Sequence, residues 1–402
     1  MNAKSVVSFS SVGIVFNFLL MVMTFIFIRK TSSHETGLYF YYVSIGGLFS
    51  NVLLFGNATL LNKEFVGSQQ PLNLFPRIRF YLFLTFLAIL IYVFLFEEYK
   101  EYAFLLILET SLFKVYRERL YASYIRSFGG VFDYIKPLFI NFLLRFFGVF
   151  LYFFGFLNVF YLVLFFILAS MFSVFSISDF NKKVFFSGRI DDIYLCYFKD
   201  GWPYFLSAFF TLGYDYVPVL VLKFMHNDLH AIGVYSSNYK ITSIFIIGLA
   251  IVTQSILPFF RNIYIQKGEK ETLLNGIFVI VLFFVLYTPL YFIVLGCSEF
   301  VVSFFIGSEY IKYDDILSIQ LAGVFGSIVN FIGFSVLQSI NKQALVSFFV
   351  APSAILNIFL CVFFSSDGAV GVSLSLTISL ILSSFFLFVY LLVKYFRVAR
   401  ES

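Results

Sequence analysis

The stretch LLNGIFVIVLFFVLYTPLYFIVL, Leu273–Leu295, limits the class of fold that this chain can adopt. It carries no charged side chain, and its 23 residues match the roughly 20 that an α-helix needs to cross the hydrocarbon core of a bilayer. A membrane β-strand needs about ten residues and alternates apolar with polar side chains, and this stretch does neither. The stretch therefore predicts a transmembrane helix.

The composition of the whole chain agrees with that stretch. Of the 402 residues, 61% are hydrophobic and 12% are charged, and the mean hydropathy is +0.95. Soluble domains contain about 25% charged residues, so the composition predicts a protein of the lipid bilayer. The three cysteines lie far apart and match no metal or redox spacing. We therefore predict no cofactor and no metal site.

Apolar runs of sufficient length predict twelve membrane-spanning helices. The fourth is the least regular, because Glu109 and Lys114 interrupt it. The predicted spans are Ser8–Ile28, Leu38–Leu61, Phe80–Phe96, Tyr102–Ala122, Tyr134–Phe154, Leu157–Ser178, Pro203–Leu222, Val234–Pro258, Leu273–Leu295, Asp315–Ser339, Ala344–Phe364 and Ala369–Val393. The expected fold class is an all-α polytopic membrane protein.

The distribution of Lys and Arg predicts the orientation of these spans. When alternate loops, beginning with the N-terminus, are assigned to one side, that side holds 20 Lys and Arg and the other side holds 5. Cytoplasmic loops carry the excess of basic residues, so we expect both termini in the cytoplasm and a first span that is retained. The net charge of +5 follows from the same rule and does not indicate nucleic-acid binding.

The longest polar loop divides the chain into two halves. We predict an N-terminal six-helix lobe over residues 1–180, a cytoplasmic linker over 181–201 and a C-terminal six-helix lobe over 202–402. A weak internal repeat relates the halves, because a shift of 196 residues places Gly37 on Gly233. Halves with an even number of spans face the same way, and in such transporters the substrate binds between them near the midplane.

Four charged residues lie well inside the predicted spans: Glu109, Arg145, Asp215 and Lys240. Each costs about 2.5–3.5 kcal/mol on insertion scales, so such residues face a protein interior or a cavity and are candidate functional residues. Two interpretations remain open. Either Glu109 pairs with Arg145 and Asp215 with Lys240, or Arg145 and Lys240 line a cavity for an anionic substrate while the two acids couple transport to an ion.

Prolines and a basic stripe add weaker candidates. Pro218 and Pro289 are expected to kink their helices, because proline removes a backbone hydrogen bond. Arg117, Arg119 and Arg126 extend the fourth span toward the cytoplasm. There they either contact lipid phosphates and set the orientation of the helix, or form a cytoplasmic access site for an anionic head group.

Several segments together resemble the O-antigen and polysaccharide flippases of the multidrug/oligosaccharidyl-lipid/polysaccharide exporter (MOP) superfamily. The similarity is diffuse and covers essentially the whole chain. It lies at the start of the second half, around the tenth span and in the turn before the twelfth span. The segments are Pro203 with Asp215, Leu229–Ser236, Ile306–Tyr310, Leu337–Lys342 and Asp367–Gly371.

The resemblance implies a MATE-like fold, with two pseudo-symmetric six-helix lobes around a central cavity. It implies that undecaprenyl-pyrophosphate-linked oligosaccharide, an O-antigen (lipopolysaccharide) or capsule repeat unit, moves from the cytoplasmic to the periplasmic leaflet of a bacterial inner membrane. Arg145 and Lys240 then fit the cationic residues that receive the pyrophosphate, with proton or sodium coupling through Asp215 or Glu109. Membrane lipids, a polysaccharide polymerase and the chain-length machinery are the implied partners.

Two alternatives stay open: a membrane O-antigen polymerase or glycosyltransferase, and a small-molecule or drug exporter of the same fold. Polymerases usually carry a large external loop, and the longest external loop here is under about twenty residues. Drug exporters of the superfamily often have an acidic residue in the first span, and Ser8–Ile28 has none. Walker motifs, nucleophile elbows and paired catalytic carboxylates are missing from the sequence, so we expect a transporter rather than an enzyme.

Overall fold

The computed structural model describes residues 3–55, 75–96, 100–121, 130–177 and 216–401, with isolated positions between these ranges. Each secondary-structure element in them is helical, as the apolar runs predict. The α-helices are α1 (Ala3–Lys30), α2 (Ser33–Leu54), α3 (Phe75–Phe96), α4 (Lys100–Leu108), α5 (Val131–Phe153), α6 (Val159–Phe175), α7 (Val217–His226), α8 (Leu229–Gly296), α9 (Ser298–Phe305), α10 (Asp314–Ser339), α11 (Gln343–Phe363) and α12 (Gly368–Glu401).

Two kinds of tighter or wider helix complete the described elements. Two π-helical stretches, Glu109–Phe113 and Tyr116–Tyr121, follow α4. Two 3₁₀ turns, Ser308–Tyr313 and Ser365–Asp367, precede α10 and α12. In the described ranges, seven helical segments are long and apolar enough to cross a bilayer, and they lie in α2, α3, α5, α8, α10, α11 and α12. The chain is thus a multi-pass, all-helical membrane protein.

The chain forms two compact units. The first unit contains residues 1–31 and 39–209, and the second unit contains residues 32–38 and 210–402. The predicted lobe boundaries and the linker at 181–201 remain a prediction, because most of that linker lies outside the described residues.

Each unit has its own apolar core. Tyr81 and Leu120 are fully buried in the core of the first unit. Ile332 and Leu387 are fully buried in the core of the second unit. Many outward-facing side chains are large and apolar, among them Phe278 and Phe359, which are more than 60% exposed. Such a surface is stable in lipid, where apolar exposure carries no penalty.

Helix α8 contains the two separate spans that were predicted, Val234–Pro258 and Leu273–Leu295. It runs for 68 residues and is interrupted at Gly268, whose φ of 83° and ψ of −173° suit glycine alone. The intervening segment is rich in Arg, Gln, Lys and Glu, which are good helix formers. Regular helical structure is broken at Gly268, and a helical segment lies on either side of this glycine.

Pro218 lies at the start of a helix, and the kink predicted around it stays a prediction. Helix α7 begins at Val217 with Tyr216 as its N-cap, so Pro218 lies in the first turn. A proline in this position loses no intrahelical hydrogen bond, because the N–H groups of the first turn have no partner in any case. Pro289 lies inside α8 as predicted, and a kink at Pro289 stays a prediction.

The repeat-related glycines Gly37 and Gly233 meet in the second unit. A Cβ atom on Gly37 would lie 1.7 Å from the carbonyl oxygen of Leu229, and one on Gly233 would lie 1.9 Å from the carbonyl oxygen of Ser33. The shift of 196 residues that relates the glycines also relates Ser33 to Leu229. The starts of α2 and α8 therefore contact each other backbone to backbone through two equivalent contacts.

Candidate functional site

Glu109 lies where α4 widens into a π-helix. Helix α4 ends at Leu108, and Glu109 begins the π-helical turn that ends at Phe113. The hydroxyl of Thr110 donates to the backbone carbonyl of Leu106, four residues earlier, at 2.8 Å. Glu109 is only 5% exposed. Single π-helical turns are rare in proteins, and those that occur often lie at functional sites. This turn therefore marks Glu109 as a candidate functional residue.

Glu109, Arg145 and Ser170 form a polar cluster inside the first unit. Arg145 Nη2 donates to Glu109 Oε1 in a direct ion pair. Ser170 Oγ donates to the same carboxylate oxygen at 2.8 Å, and Arg145 Nη2 also donates to Ser170 Oγ at 3.3 Å. Asn141 Nδ2 donates to Ser170 Oγ at 3.1 Å. The structure thus brings together the first of the two ion pairs considered from the sequence.

Arg145 makes one further contact and retains a donor. Its guanidinium carbon lies 4.9 Å from the ring centroid of Phe166, a cation–π distance. Arg145 Nε and Asn141 Oδ1 are buried, and neither has a hydrogen-bond partner in the part of the chain that the structure describes. The pair Glu109–Arg145 carries no net charge, but the cluster keeps one donor and one acceptor for another polar group.

Lys240 lies in α8 of the second unit and is half-buried. Its neighbours along the helix are polar and buried, since Asn238 is 0% and Thr242 is 1% exposed. The carbonyl of Lys240 accepts a hydrogen bond from Ser243 Oγ at 2.7 Å. Asp215, its predicted partner, lies outside the described residues, so the pair Asp215–Lys240 stays a prediction.

The basic stripe after the fourth span is only partly described. Arg117 lies in the second π-helical stretch and is 2% exposed. A guanidinium that is this deeply buried argues against the lipid-facing alternative for Arg117, and the access site stays a prediction. The side chain of Arg119 and the whole of Arg126 lie outside the described residues.

The second unit contains a buried network of uncharged polar side chains that the sequence analysis missed. Gln320 Nε2 donates to Ser373 Oγ at 3.0 Å, which joins α10 to α12. Ser375, Ser379 and Ser383 of α12 are also buried. These serines are spaced by four residues and so share one helix face. That spacing is the signal from which a polar face of α12 could have been predicted.

A third hydrogen-bonded cluster lies beside the contact of Gly37 with Gly233. His230 Nδ1 lies 2.6 Å from Ser33 Oγ, and His230 Nε2 lies 2.8 Å from Tyr313 Oη. Glu309 Oε1 accepts from the backbone N–H of Ser33 at 3.3 Å. Both ring nitrogens of His230 are therefore engaged, and the starts of α2 and α8 are tied to the 3₁₀ turn before α10.

The apolar helices define this chain as a polytopic membrane protein, and its fold is similar to that of transporters of the MOP superfamily. No protein-family model matches the sequence, and no curated protein sequence is detectably similar to it. Solved structures of that superfamily are similar over almost the whole chain.

Three of these solved structures are compared with this chain by TM-score and sequence identity. The lipid II flippase MurJ, in an inward closed conformation, has a TM-score of 0.71 and 17% identity over 94% of this chain and 86% of that chain. An inward-facing multidrug resistance MATE family transporter has a TM-score of 0.72 and 12% identity over 96% of each chain. A MOP superfamily transporter from Pyrococcus furiosus, described as having a binding pocket of reversed polarity that suggests a different function, has a TM-score of 0.59 and 13% identity over 98% of this chain and 95% of that chain. The TM-scores show a similar fold, and because the sequence identities are low, the similarity extends to the fold alone.

Proposed function

We propose that this protein is an alternating-access flippase that moves a lipid-linked oligosaccharide with a pyrophosphate linkage across a bacterial inner membrane. The observation that carries the proposal is the Glu109–Arg145–Ser170 cluster inside the first unit. The fold supports transport in general, and a protein of similar fold is described as a lipid II flippase. The resemblance to polysaccharide flippases supports an O-antigen or capsule repeat unit as the substrate.

In the proposed mechanism, Glu109 holds Arg145 while the site is empty. An unpaired buried charge is strongly destabilising, so the acid keeps the guanidinium compensated between transport cycles. A pyrophosphate oxygen then replaces the carboxylate, because arginine binds phosphate through parallel N–H donors and its Nε has no other partner in the described structure. At an effective dielectric constant of 20, such a pair is worth about 4 kcal/mol at 4 Å.

Release of Glu109 from Arg145 offers a way to couple transport to an ion. A buried carboxylate without its cation is destabilised, so substrate binding and capture of a coupling ion by Glu109 would occur together. Lys240 remains the predicted second cation of the substrate site, with Asp215 as its predicted partner. A polymerase and the chain-length machinery would act on the product after it reaches the outer leaflet.

The test separates substrate binding by Arg145 from a purely structural ion pair. Arg145→Gln leaves Glu109 buried without its cation, which costs about 3–5 kcal/mol, so protein abundance and surface polysaccharide should both fall. The double variant Glu109→Gln with Arg145→Gln removes both charges and should recover abundance. We expect its polysaccharide output to stay at least tenfold below wild type, because the site has lost the guanidinium that donates hydrogen bonds to the phosphate.

The control is Lys223→Gln, which removes a lysine whose ammonium donates a solvent-exposed hydrogen bond to Asn227 on its own helix end. This variant should keep both abundance and output. Full polysaccharide output from the double variant would show that the pair is structural and would overturn the proposed role of Arg145.

The accumulated intermediate distinguishes the flippase from a polymerase. Cells that carry the double variant should accumulate the lipid-linked repeat unit on the cytoplasmic side of the inner membrane. Loss of a polymerase would instead leave single repeat units on the cell surface.

Export of small molecules is the second candidate function, because the similarity to a MATE family transporter is as strong as that to MurJ. Drug susceptibility and dye accumulation in cells that lack the protein test this candidate. If the protein is an exporter, these cells should accumulate more dye and keep normal surface polysaccharide. If it is the flippase, dye accumulation should be unchanged and surface polysaccharide should fall.

A further inference from the structure

Helices α11 and α12 leave an apolar groove between them in the second unit. Its volume is about 480 Å³. Aromatic and aliphatic side chains from both helices line it, including Phe348, Pro352, Leu356, Leu382, Phe386 and Val393. Phe348, Phe386 and Val393 are each about 60% exposed or more, so the groove is open along its side. In a membrane protein, this surface faces hydrocarbon.

The groove ends at a cluster of basic side chains. Lys342 Nζ lies 2.5 Å and Lys394 Nζ lies 3.6 Å from the same carboxylate oxygen of Glu269. Lys394 follows directly after Val393, which lines the groove. Arg397 lies one turn beyond Val393 on the same helix face. The two lysines and the one carboxylate leave a net positive charge at this end.

The hydrogen bond to Glu269 keeps Lys342 charged. Burial lowers the pKa of Lys342, but its hydrogen bonds and the nearby carboxylate outweigh burial, so the pKa lies above the ordinary value for lysine. Lys342 and Lys394 lie in the part of the chain that the basic-residue pattern assigns to the cytoplasm. The mouth of the groove thus lies at the level of the cytoplasmic head groups.

The length of the groove suits one lipid chain of one leaflet. From Leu382 to Val393, α12 rises about 16 Å at 1.5 Å per residue, and half of a hydrocarbon core is about 15 Å. We propose that the groove binds one acyl chain of an anionic glycerophospholipid, whose phosphate contacts Lys342 and Lys394. A long polyprenyl chain would exceed both the length and the volume. This lipid site is separate from the Glu109–Arg145–Ser170 cluster and does not depend on the proposed function.

Native mass spectrometry of the purified full-length protein tests the site. Phosphatidylglycerol and phosphatidylcholine with identical acyl chains are added in equal amounts, and the bound fraction of each is measured. Each lysine that contacts the lipid phosphate is expected to contribute about fivefold in affinity, as a lysine beside an anionic membrane surface does. The double variant Lys342→Ala with Lys394→Ala should therefore lose about 25-fold in phosphatidylglycerol affinity, whereas Lys267→Ala, at an exposed lysine near Glu269, should lose none.

A second pair of variants tests the groove itself and retains every basic residue. Val389→Trp places a large side chain in the groove and should weaken phosphatidylglycerol binding at least fivefold. Phe385→Trp, at an exposed position of the same helix outside the groove, should have no effect. Equal phosphatidylglycerol binding by Val389→Trp and Phe385→Trp would overturn the proposal.

Discussion

Ser170 connects the polar groups inside the first unit. Its hydroxyl donates to Glu109 and accepts from Arg145 and Asn141. The two charges were foreseeable, because a charged residue in an apolar span is rare and is conspicuous in the sequence. Ser170 and Asn141 were not, because uncharged polar residues are common in membrane helices and most of them bond to their own backbone.

Replacement of Ser170 by Ala should lower the free energy of unfolding by about 1–3 kcal/mol, because Asn141 Nδ2 would lose its bond and remain buried. Thermal unfolding in detergent measures this loss. Ser176→Ala is the matched control, since Ser176 lies at the end of the same helix and bonds only to the local carbonyl of Ser173 among its described side-chain contacts. A loss in Ser170→Ala no larger than that in Ser176→Ala would contradict the connecting role.

The contact between α2 and α8 depends on the absence of two side chains. Gly37 and Gly233 were recognised in the sequence as repeat-related positions. Their spacing did not show that the two glycines touch each other. That contact depends on packing between two helix starts that lie almost two hundred residues apart in the chain.

Gly233→Ala should destabilise the protein by about 1–3 kcal/mol, the typical cost of overpacking, because its new methyl group would overlap the carbonyl of Ser33. Gly248→Ala is the control in the same helix, since no atom of the described residues lies within 4 Å of a methyl group there. The control should be neutral or stabilising by up to about 1 kcal/mol through helix propensity. Similar melting temperatures for both variants would show that the starts of α2 and α8 do not pack as described.

For the molecule as a whole, the asymmetry of basic residues predicts an orientation that cysteine labelling can test. In a variant whose natural cysteines are replaced by serine, Lys312→Cys should react with an impermeant maleimide in intact cells. Lys267→Cys should react only after the membrane is permeabilised, because the segment around it carries the excess of basic residues. Labelling of Lys267→Cys in intact cells would reverse the orientation, with the N- and C-termini outside.

The amino-acid sequence by itself determined the helical membrane class, most of the span positions and the presence of charges inside the spans. These properties follow from the local free energy of placing each segment in lipid, which depends on the residues of that segment alone. Only the tertiary structure decided that Glu109 meets Arg145, that both bond to Ser170, and that Gly37 meets Gly233. Such contacts join residues far apart in the chain, and their energies depend on which helix faces pack together.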